Sequence, residues 1–265
     1  MQPFGWAWHW YSVRGFLGEK MADKTVSLGE HTVREVALAW PVSVAVFAQV
    51  GIEFSCGGDL VVSDACQQVG ITVEGLWSLI QQAAQHPAPS DLEFWHNASP
   101  SALLDHLIHR YHEPLRKELS RLESLSQKVE QRHGEAFPQV VAIRHLCASL
   151  RRELELHMAK EERVLFPLIR RLDAQLQRGM TDRATAKQLL APLRLAFTDH
   201  DALINIVREL HEQSGGYGVP TGVSASYHML CSGLRSLQFE LQLHFHLENN
   251  VLFGAARDML VASGL

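Results

Sequence analysis

The sequence predicts an all-α protein in which a small helical N-terminal domain precedes an up-down-up-down four-helix bundle. From residue 99 onward, apolar residues recur at helical spacing along four long segments that are separated by glycine-containing gaps. Before residue 86, the chain alternates shorter apolar segments with turns. No run with the two-residue period of a strand competes with this pattern.

The small domain is expected over residues 25–85. Residues 1–24 make a poor signal peptide, because their basic residues follow the apolar part and do not precede it. They are expected to form a disordered extension. Pro87 and Pro89 stop a helix, and residues 86–98 are therefore expected to be a linker. The helices predicted in the small domain span residues 33–50, 62–69 and 76–84.

The bundle is expected over residues 99–262. Ser99 followed by Pro100 is a typical helix start, since serine caps free N–H groups and proline is tolerated at the first helical position. Leucines mark one apolar face of this helix, namely Leu103, Leu104, Leu107, Leu115, Leu119, Leu122 and Leu125. The four bundle helices are predicted at residues 99–132, 138–176, 182–213 and 224–260.

The composition argues against several classes of function. A net charge of -5 without a long basic run does not suit binding to nucleic acid or to an anionic membrane surface. No segment approaches the roughly 20 apolar residues that a membrane-spanning helix needs. The four cysteines form no zinc-type pair and no dense disulfide pattern, which favours reduced thiols in a cytoplasmic protein.

Two of the predicted helices carry the same pair of metal-ligating residue types, a histidine followed four positions later by a glutamate. The pairs are His157 with Glu161 and His244 with Glu248. Residues four apart differ by about 40° around a helix axis and about 6 Å along it, so each pair projects from one face. This mixed nitrogen and oxygen set suits iron, although zinc or manganese also fits it.

A single pair of this kind is often a solvated contact between neighbouring helical turns. Here each pair runs into an apolar segment, at residues 164–167 and 251–253. Burying an unpaired glutamate costs several kcal/mol, which is comparable with the stability of a whole domain. Metal coordination removes this cost, and we therefore expect both pairs to bind metal.

The other two helices supply further histidines. His112 and His133 lie in the first helix, and His200 lies in the third. Each histidine alone is more often structural, but beside two His/Glu pairs each is a candidate ligand. Spacing does not exclude His106 or His109 on the first helix. An iron-free bundle with structural histidines is the remaining alternative.

These motifs resemble the iron–sulfur cluster repair di-iron proteins of the RIC (ScdA/YtfE) type, over nearly the whole chain after residue 25. The matching segments are residues 51–58, 105–112, 157–167 and 244–253. The resemblance implies a ScdA-like N-terminal domain at 25–85 and a hemerythrin-like di-iron four-helix bundle at 99–262.

The resemblance also implies a ligand set for two iron ions that are bridged by carboxylates and by an oxo or hydroxo group. It favours His112 over His106 and His109. The implied ligands are five histidines and two glutamates: His112, His133, His157, Glu161, His200, His244 and Glu248. Seven protein ligands for two irons would leave positions open for small molecules.

The function that the resemblance implies is repair of iron–sulfur clusters damaged by nitric oxide or oxidative stress, by iron donation, by NO reduction at the di-iron site, or by both. Iron–sulfur proteins are then the expected clients, NO or O2 is the small ligand, and a nitric oxide reductase-type activity is a hypothesis. The alternative is a hemerythrin-like module that binds or senses O2 or NO without turnover. The leading domain favours repair. The sequence leaves the oligomeric state open, with a homodimer as one option.

The chain departs from this family at Ser55, where the family carries the first of two adjacent cysteines. A serine hydroxyl neither forms a disulfide nor binds soft metals as a thiolate does. Cys56 is therefore the candidate catalytic thiol, with redox or NO reactivity, and the alternative is a small buried residue beside a tight turn. Because Cys56 lies in the leading domain, we expect its replacement by alanine to leave the metal centre intact.

Overall fold

The computed structural model describes residues 28–85 and 91–265, so the expected extension at 1–24 and the linker prolines lie outside the described residues. The all-α prediction is confirmed for the described part of the chain, which contains helices and no strand. None of the helices described is both long and apolar enough to cross a membrane. Contacts divide the chain into two compact units, which are described in turn.

The first unit contains residues 28–85, 91–98 and 246–251 of the described chain. Its N-terminal helices are α1 (Val33–Ala39), α2 (Val42–Val50), α3 (Val62–Val69), α4 (Val73–Gln85) and α5 (Leu92–His96).

Two features of this unit differ from the prediction. The helix predicted over 33–50 is divided at Trp40, because the ring of Pro41 disfavours helical backbone in the residue before it. Within the expected linker, residues 92–96 form α5, whose Leu92 and His96 side chains are buried.

The second unit contains residues 99–245 and 252–265. Bundle helix 1 consists of α6 (Pro100–His106), a π-helical segment (Leu107–His112) and α7 (Glu113–His133). Bundle helix 2 consists of α8 (Gln139–Lys160), a π-helical segment (Glu161–Leu165) and α9 (Phe166–Gln177). Bundle helix 3 is α10 (Arg183–Gln213). Bundle helix 4 runs through α11 (Ala225–His246), a π-helical segment (Leu247–Leu252) and α12 (Phe253–Ala262).

Ion pairs show that bundle helices 1 and 2 are antiparallel. Arg144 Nε lies 2.6 Å from Glu130 Oε2, and Arg151 Nη1 lies 2.6 Å from Glu123 Oε2. Moving forward along helix 2 therefore means moving back along helix 1, as an up-down-up-down bundle requires. The leucines predicted for the apolar face of helix 1 are all buried.

Two of the three π-helical segments precede a proline. Pro114 and Pro167 lie in the first turns of α7 and α9. A proline has no N–H, and its ring clashes with the carbonyl four residues earlier, which in both helices belongs to the π-helical segment. The wider turn instead bonds five residues back, as from the Glu113 N–H to the Ile108 carbonyl. No proline follows the π-helical segment of helix 4.

Candidate metal centre

The four bundle helices bring six ionisable side chains together. The His112 group consists of His112, Glu161, His244 and Glu248, and its four ligand atoms lie within 4.8 Å of one another. The His157 group consists of His157, Glu161, His200 and Glu248, with the same spacing limit. All six side chains are buried. Both glutamates belong to both groups, so the arrangement is a pair of adjoining sites that share two carboxylates.

The imidazole nitrogens within each group face one another. The Nε2 atoms of His112 and His244 are 3.1 Å apart, and those of His157 and His200 are 2.9 Å apart. Two nitrogens bound to one metal at about 2.1 Å, with a right angle between the bonds, are separated by roughly 3.0 Å. The histidine pairs therefore have the spacing that a shared cation requires.

Glu161 lies between the two groups. Its Oε2 atom is 3.2 Å from His157 Nε2 and 3.6 Å from His112 Nε2, and its Oε1 atom is 3.9 Å from His200 Nε2. A carboxylate with 1% of its surface exposed is strongly destabilised unless positive charge compensates it. Metal cations between these imidazoles would supply that charge, so the residues fit a metal centre.

A second carboxylate fixes the orientation of His112. His112 Nδ1 donates a hydrogen bond to Glu162 Oε1 at 2.8 Å, and Arg116 Nη2 donates to the same oxygen at 2.7 Å. The bond from His112, with that from Arg116, lowers the pKa of Glu162 to about 2. Since an ionised carboxylate only accepts, Nδ1 carries the proton and Nε2 presents its lone pair to the centre.

A similar arrangement faces His157. Its Nδ1 atom lies 3.6 Å from Asp199 Oδ2, and Lys160 pairs with the same carboxylate oxygen. The interactions with His157 and with Lys160 lower the pKa of Asp199. Sequence reasoning missed both Glu162 and Asp199. Their positions beside predicted ligands could have indicated them, since Glu162 follows Glu161 and Asp199 precedes His200. One residue turns a side chain by about 100° around the helix axis, toward a neighbouring helix.

Aromatic rings cover two further ligands. The Tyr111 ring stacks on His244 with centroids 5.3 Å apart, and the Phe245 ring stacks on His200 at 4.2 Å. Tyr111 and Phe245 are themselves buried. These rings fix the imidazole planes and keep water from the centre.

His133 is not part of the centre, which corrects the prediction that it is a ligand. It ends α7, a helix of 21 residues that begins just after His112, so the two histidines are about 30 Å apart along the axis. His133 Nε2 instead lies 2.9 Å from Ser224 Oγ and accepts a hydrogen bond from the Ser224 backbone N–H at 3.2 Å. Its role is to fix the start of bundle helix 4.

The other histidines of bundle helix 1 also lie outside both groups. His109 is exposed and its Nδ1 atom pairs with Glu113 at 2.9 Å. His106 makes an edge contact with the Tyr111 ring. Among the candidates on this helix, the structure therefore brings only His112 to the cluster.

Cys56 belongs to neither ligand group. It lies in the first unit and is half-buried, with its Sγ atom 3.5 Å from Asn249 Nδ2 and 3.8 Å from Ser55 Oγ. None of the four cysteines forms a disulfide. The catalytic role of Cys56 stays a prediction, but its thiol contacts the residue that follows Glu248.

We expect the His133→Ala variant to keep its metal and to lose stability. Removing the contacts with Ser224 costs on the order of 1 kcal/mol, the usual effect of losing a helix-start hydrogen bond. Elemental analysis and urea unfolding of the same preparation measure both quantities. His112→Ala is the matched comparison and should lose metal. Metal loss in His133→Ala equal to that in His112→Ala would contradict this assignment.

We expect Glu162→Gln to weaken metal binding by about tenfold or more, because the amide no longer holds His112 as an ionised acceptor. Competition with a chromophoric chelator measures the affinity. The control is Glu240→Gln, which removes an exposed ion pair with Arg110 on the bundle surface. An affinity equal to that of the control would show that Glu162 does not orient the ligand.

Comparison with known families matches both parts of the chain. The family model described as Hemerythrin HHE cation binding domain matches residues 103–256, which is more than half of the chain. The model ScdA_N, described as a domain of unknown function, matches residues 29–84.

Curated relatives match along nearly the full length. The iron-sulfur cluster repair protein YtfE of Pectobacterium atrosepticum is 30% identical over 236 residues, which cover 89% of this chain and 98% of the relative. A probable iron-sulfur cluster repair protein of Haemophilus influenzae is 28% identical over 228 residues, or 86% of this chain and 97% of that protein. The chain therefore belongs to the hemerythrin HHE family and, within it, to the YtfE-type family in which a ScdA_N domain precedes the bundle.

Proposed function

We propose that this protein is a non-haem di-iron protein that repairs iron–sulfur clusters damaged by nitric oxide or oxidative stress. The observation that carries the proposal is that two histidine pairs share the same two buried glutamates. Separate metal sites would each have carboxylates of their own. The names of the full-length relatives, which are iron-sulfur cluster repair proteins, support the assignment of the biological role.

The donor set favours iron. Four imidazole nitrogens and two carboxylates, without a thiolate, suit a divalent or trivalent first-row metal better than a structural zinc ion. Two histidines with carboxylate ligands and open positions are typical of non-haem iron sites. Bridging carboxylates in the core of a four-helix bundle are typical of di-iron proteins.

The side chains of the centre have separable roles. Bound iron would supply redox chemistry and open positions for a small molecule such as NO or O2. Glu161 and Glu248 balance the cationic charge of both positions. Glu162 and Asp199 hold the imidazoles of His112 and His157 with Nε2 directed inward. Tyr111 and Phe245 exclude water from the same volume.

Two modes of repair are compatible with this arrangement. Six side chains for two ions leave open positions, and adjacent positions would let two NO molecules bind side by side for reduction. The same incomplete ligand set would let one iron be donated to a client iron–sulfur protein. We place the protein in the cytoplasm, where cysteines outside disulfides stay reduced.

We predict that the purified protein, reconstituted anaerobically with ferrous iron, binds about two irons per chain, as the two ligand groups require. Addition of NO should yield nitrous oxide if reduction is the task, and incubation with a cluster-depleted iron–sulfur protein should transfer iron if donation is the task. Reversible O2 or NO binding with neither outcome would favour the hemerythrin-like module that binds without turnover. Absence of iron would contradict the proposal.

We predict that Glu161→Leu or Glu248→Leu reduces iron content to well below half of the wild-type value, because each carboxylate serves both groups. The control is Glu113→Leu, which removes an exposed carboxylate from helix 1. Plasma emission spectroscopy of proteins loaded in parallel gives the comparison. Full iron retention in either variant would show that the glutamates do not bridge the two positions.

A further inference from the structure

The π-helical segment of bundle helix 4 needs a structural cause. Leu247–Leu252 contains Glu248, the ligand shared by both groups. The equivalent segments of helices 1 and 2 precede Pro114 and Pro167, whereas no proline follows this one. Something other than a missing N–H therefore stabilises the wider turn.

Two asparagine side chains within this segment, which itself belongs to the first unit, bond to backbone carbonyls of residues 54 and 55. Asn249 Nδ2 donates to the Ser55 carbonyl at 2.9 Å, and Asn250 Nδ2 donates to the Phe54 carbonyl at 2.9 Å. Both asparagines are 3% exposed. The acceptors belong to residues 54–58, which we call the 54–58 loop. The two residues after Glu248 are thus attached to one short stretch of backbone.

Asn250 is held on its other side as well. Arg34 Nε donates to Asn250 Oδ1 at 2.7 Å, and Asn250 Nδ2 lies 2.8 Å from His246 Nδ1. His246 Nε2 in turn lies 3.0 Å from His96 Nε2. Both the Nδ2 and the Oδ1 atom of Asn250 therefore have hydrogen-bond partners, and a buried polar network of this kind tolerates little displacement.

Two residues of the 54–58 loop, Gly58 and Cys56, lie close to the asparagine side chains. A Cβ atom on Gly58 would lie 3.0 Å from Arg34 Cβ and 3.4 Å from Asn250 Oδ1, so a side chain there would push Arg34 away from Asn250. Cys56 Sγ lies 3.5 Å from Asn249 Nδ2 and shares this donor with the Ser55 carbonyl. A side chain at Gly58 would disturb Asn250, and Cys56 contacts Asn249; these asparagines are the two residues that follow Glu248.

We propose that Asn249 and Asn250 are positioning residues for Glu248, and that their hydrogen bonds to the 54–58 loop hold them in place. The loop thereby sets the orientation of a carboxylate that serves both metal positions. Its residues act on the centre through helix 4 and are not themselves ligands. This inference rests on the proposed di-iron function.

The test compares Asn249→Ala and Asn250→Ala with the wild-type full-length protein, each loaded with iron and oxidised. We expect iron to pass to a chelator about tenfold faster in the variants, the usual scale for loss of a group that orients a ligand. The near-ultraviolet absorption and the Mössbauer spectrum of the ferric pair should shift, because the Glu248 carboxylate turns. Both readouts are independent of catalysis.

Leu76→Ala is the matched control, since it removes a fully buried side chain of the first unit but none of these hydrogen bonds. A role limited to stability predicts that Leu76→Ala produces the same shift and the same release rate, and that result would overturn the inference. Wild-type spectra and release rates in folded asparagine variants would overturn it as well. If the asparagine variants do not fold, the iron release rate and the spectra of Gly58→Ala are compared with those of Leu76→Ala, and the same outcomes support or overturn the inference.

The wild-type protein separates this inference from the proposed function. Wild-type protein without the spectrum of an iron pair would defeat the proposed function. A normal wild-type iron pair together with unaffected variants would defeat only the positioning role of the asparagines.

Discussion

The structure depends on two carboxylates that are buried among four imidazoles. Glu161 and Glu248 have almost no exposed surface, and their charges would strongly destabilise the bundle without compensation. The facing Nε2 atoms of each histidine pair lie at the separation that a common cation produces. Bundle stability and metal affinity are therefore expected to be linked, because cations at these two positions would offset the cost of burying both glutamates.

The backbone around the centre departs from regular α-helix on three of the four bundle helices. Each π-helical segment contains one ligand, at its end in helix 1 and near its start in helices 2 and 4. Prolines explain the first two segments, and the asparagine contacts of helix 4 offer an equivalent explanation for the third. A wider turn changes the direction of a side chain without ending the helix. Long helices can therefore direct their side chains to one small centre.

Much of this arrangement could be predicted from local sequence. The pairs His157/Glu161 and His244/Glu248 follow from spacing within one helix, and the apolar segments at 164–167 and 251–253 that follow the pairs indicate their burial. The assignment of His133 came from family likeness alone, although helix geometry already places a residue 21 positions after His112 about 30 Å away along the same helix. Its 21-residue distance from His112 separates the two side chains by most of the bundle length.

Other features depend on contacts between helices, which one sequence does not specify. Glu162 and Asp199 act on histidines of neighbouring helices, and their partners become evident only once helices 1, 2 and 3 are packed. The π-helical turns add about one residue per turn, a change too small to alter hydrophobic periodicity. The contacts of Asn249 and Cys56 join residues 193 positions apart.

The proposed centre requires that two iron ions share Glu161 and Glu248. Anomalous X-ray scattering at the iron absorption edge, on crystals of the iron-loaded protein, tests it most directly. Two adjacent peaks are expected, one beside His112 and His244 and the other beside His157 and His200, with both glutamates contacting both peaks. A single peak, or a peak beside His133, would contradict it.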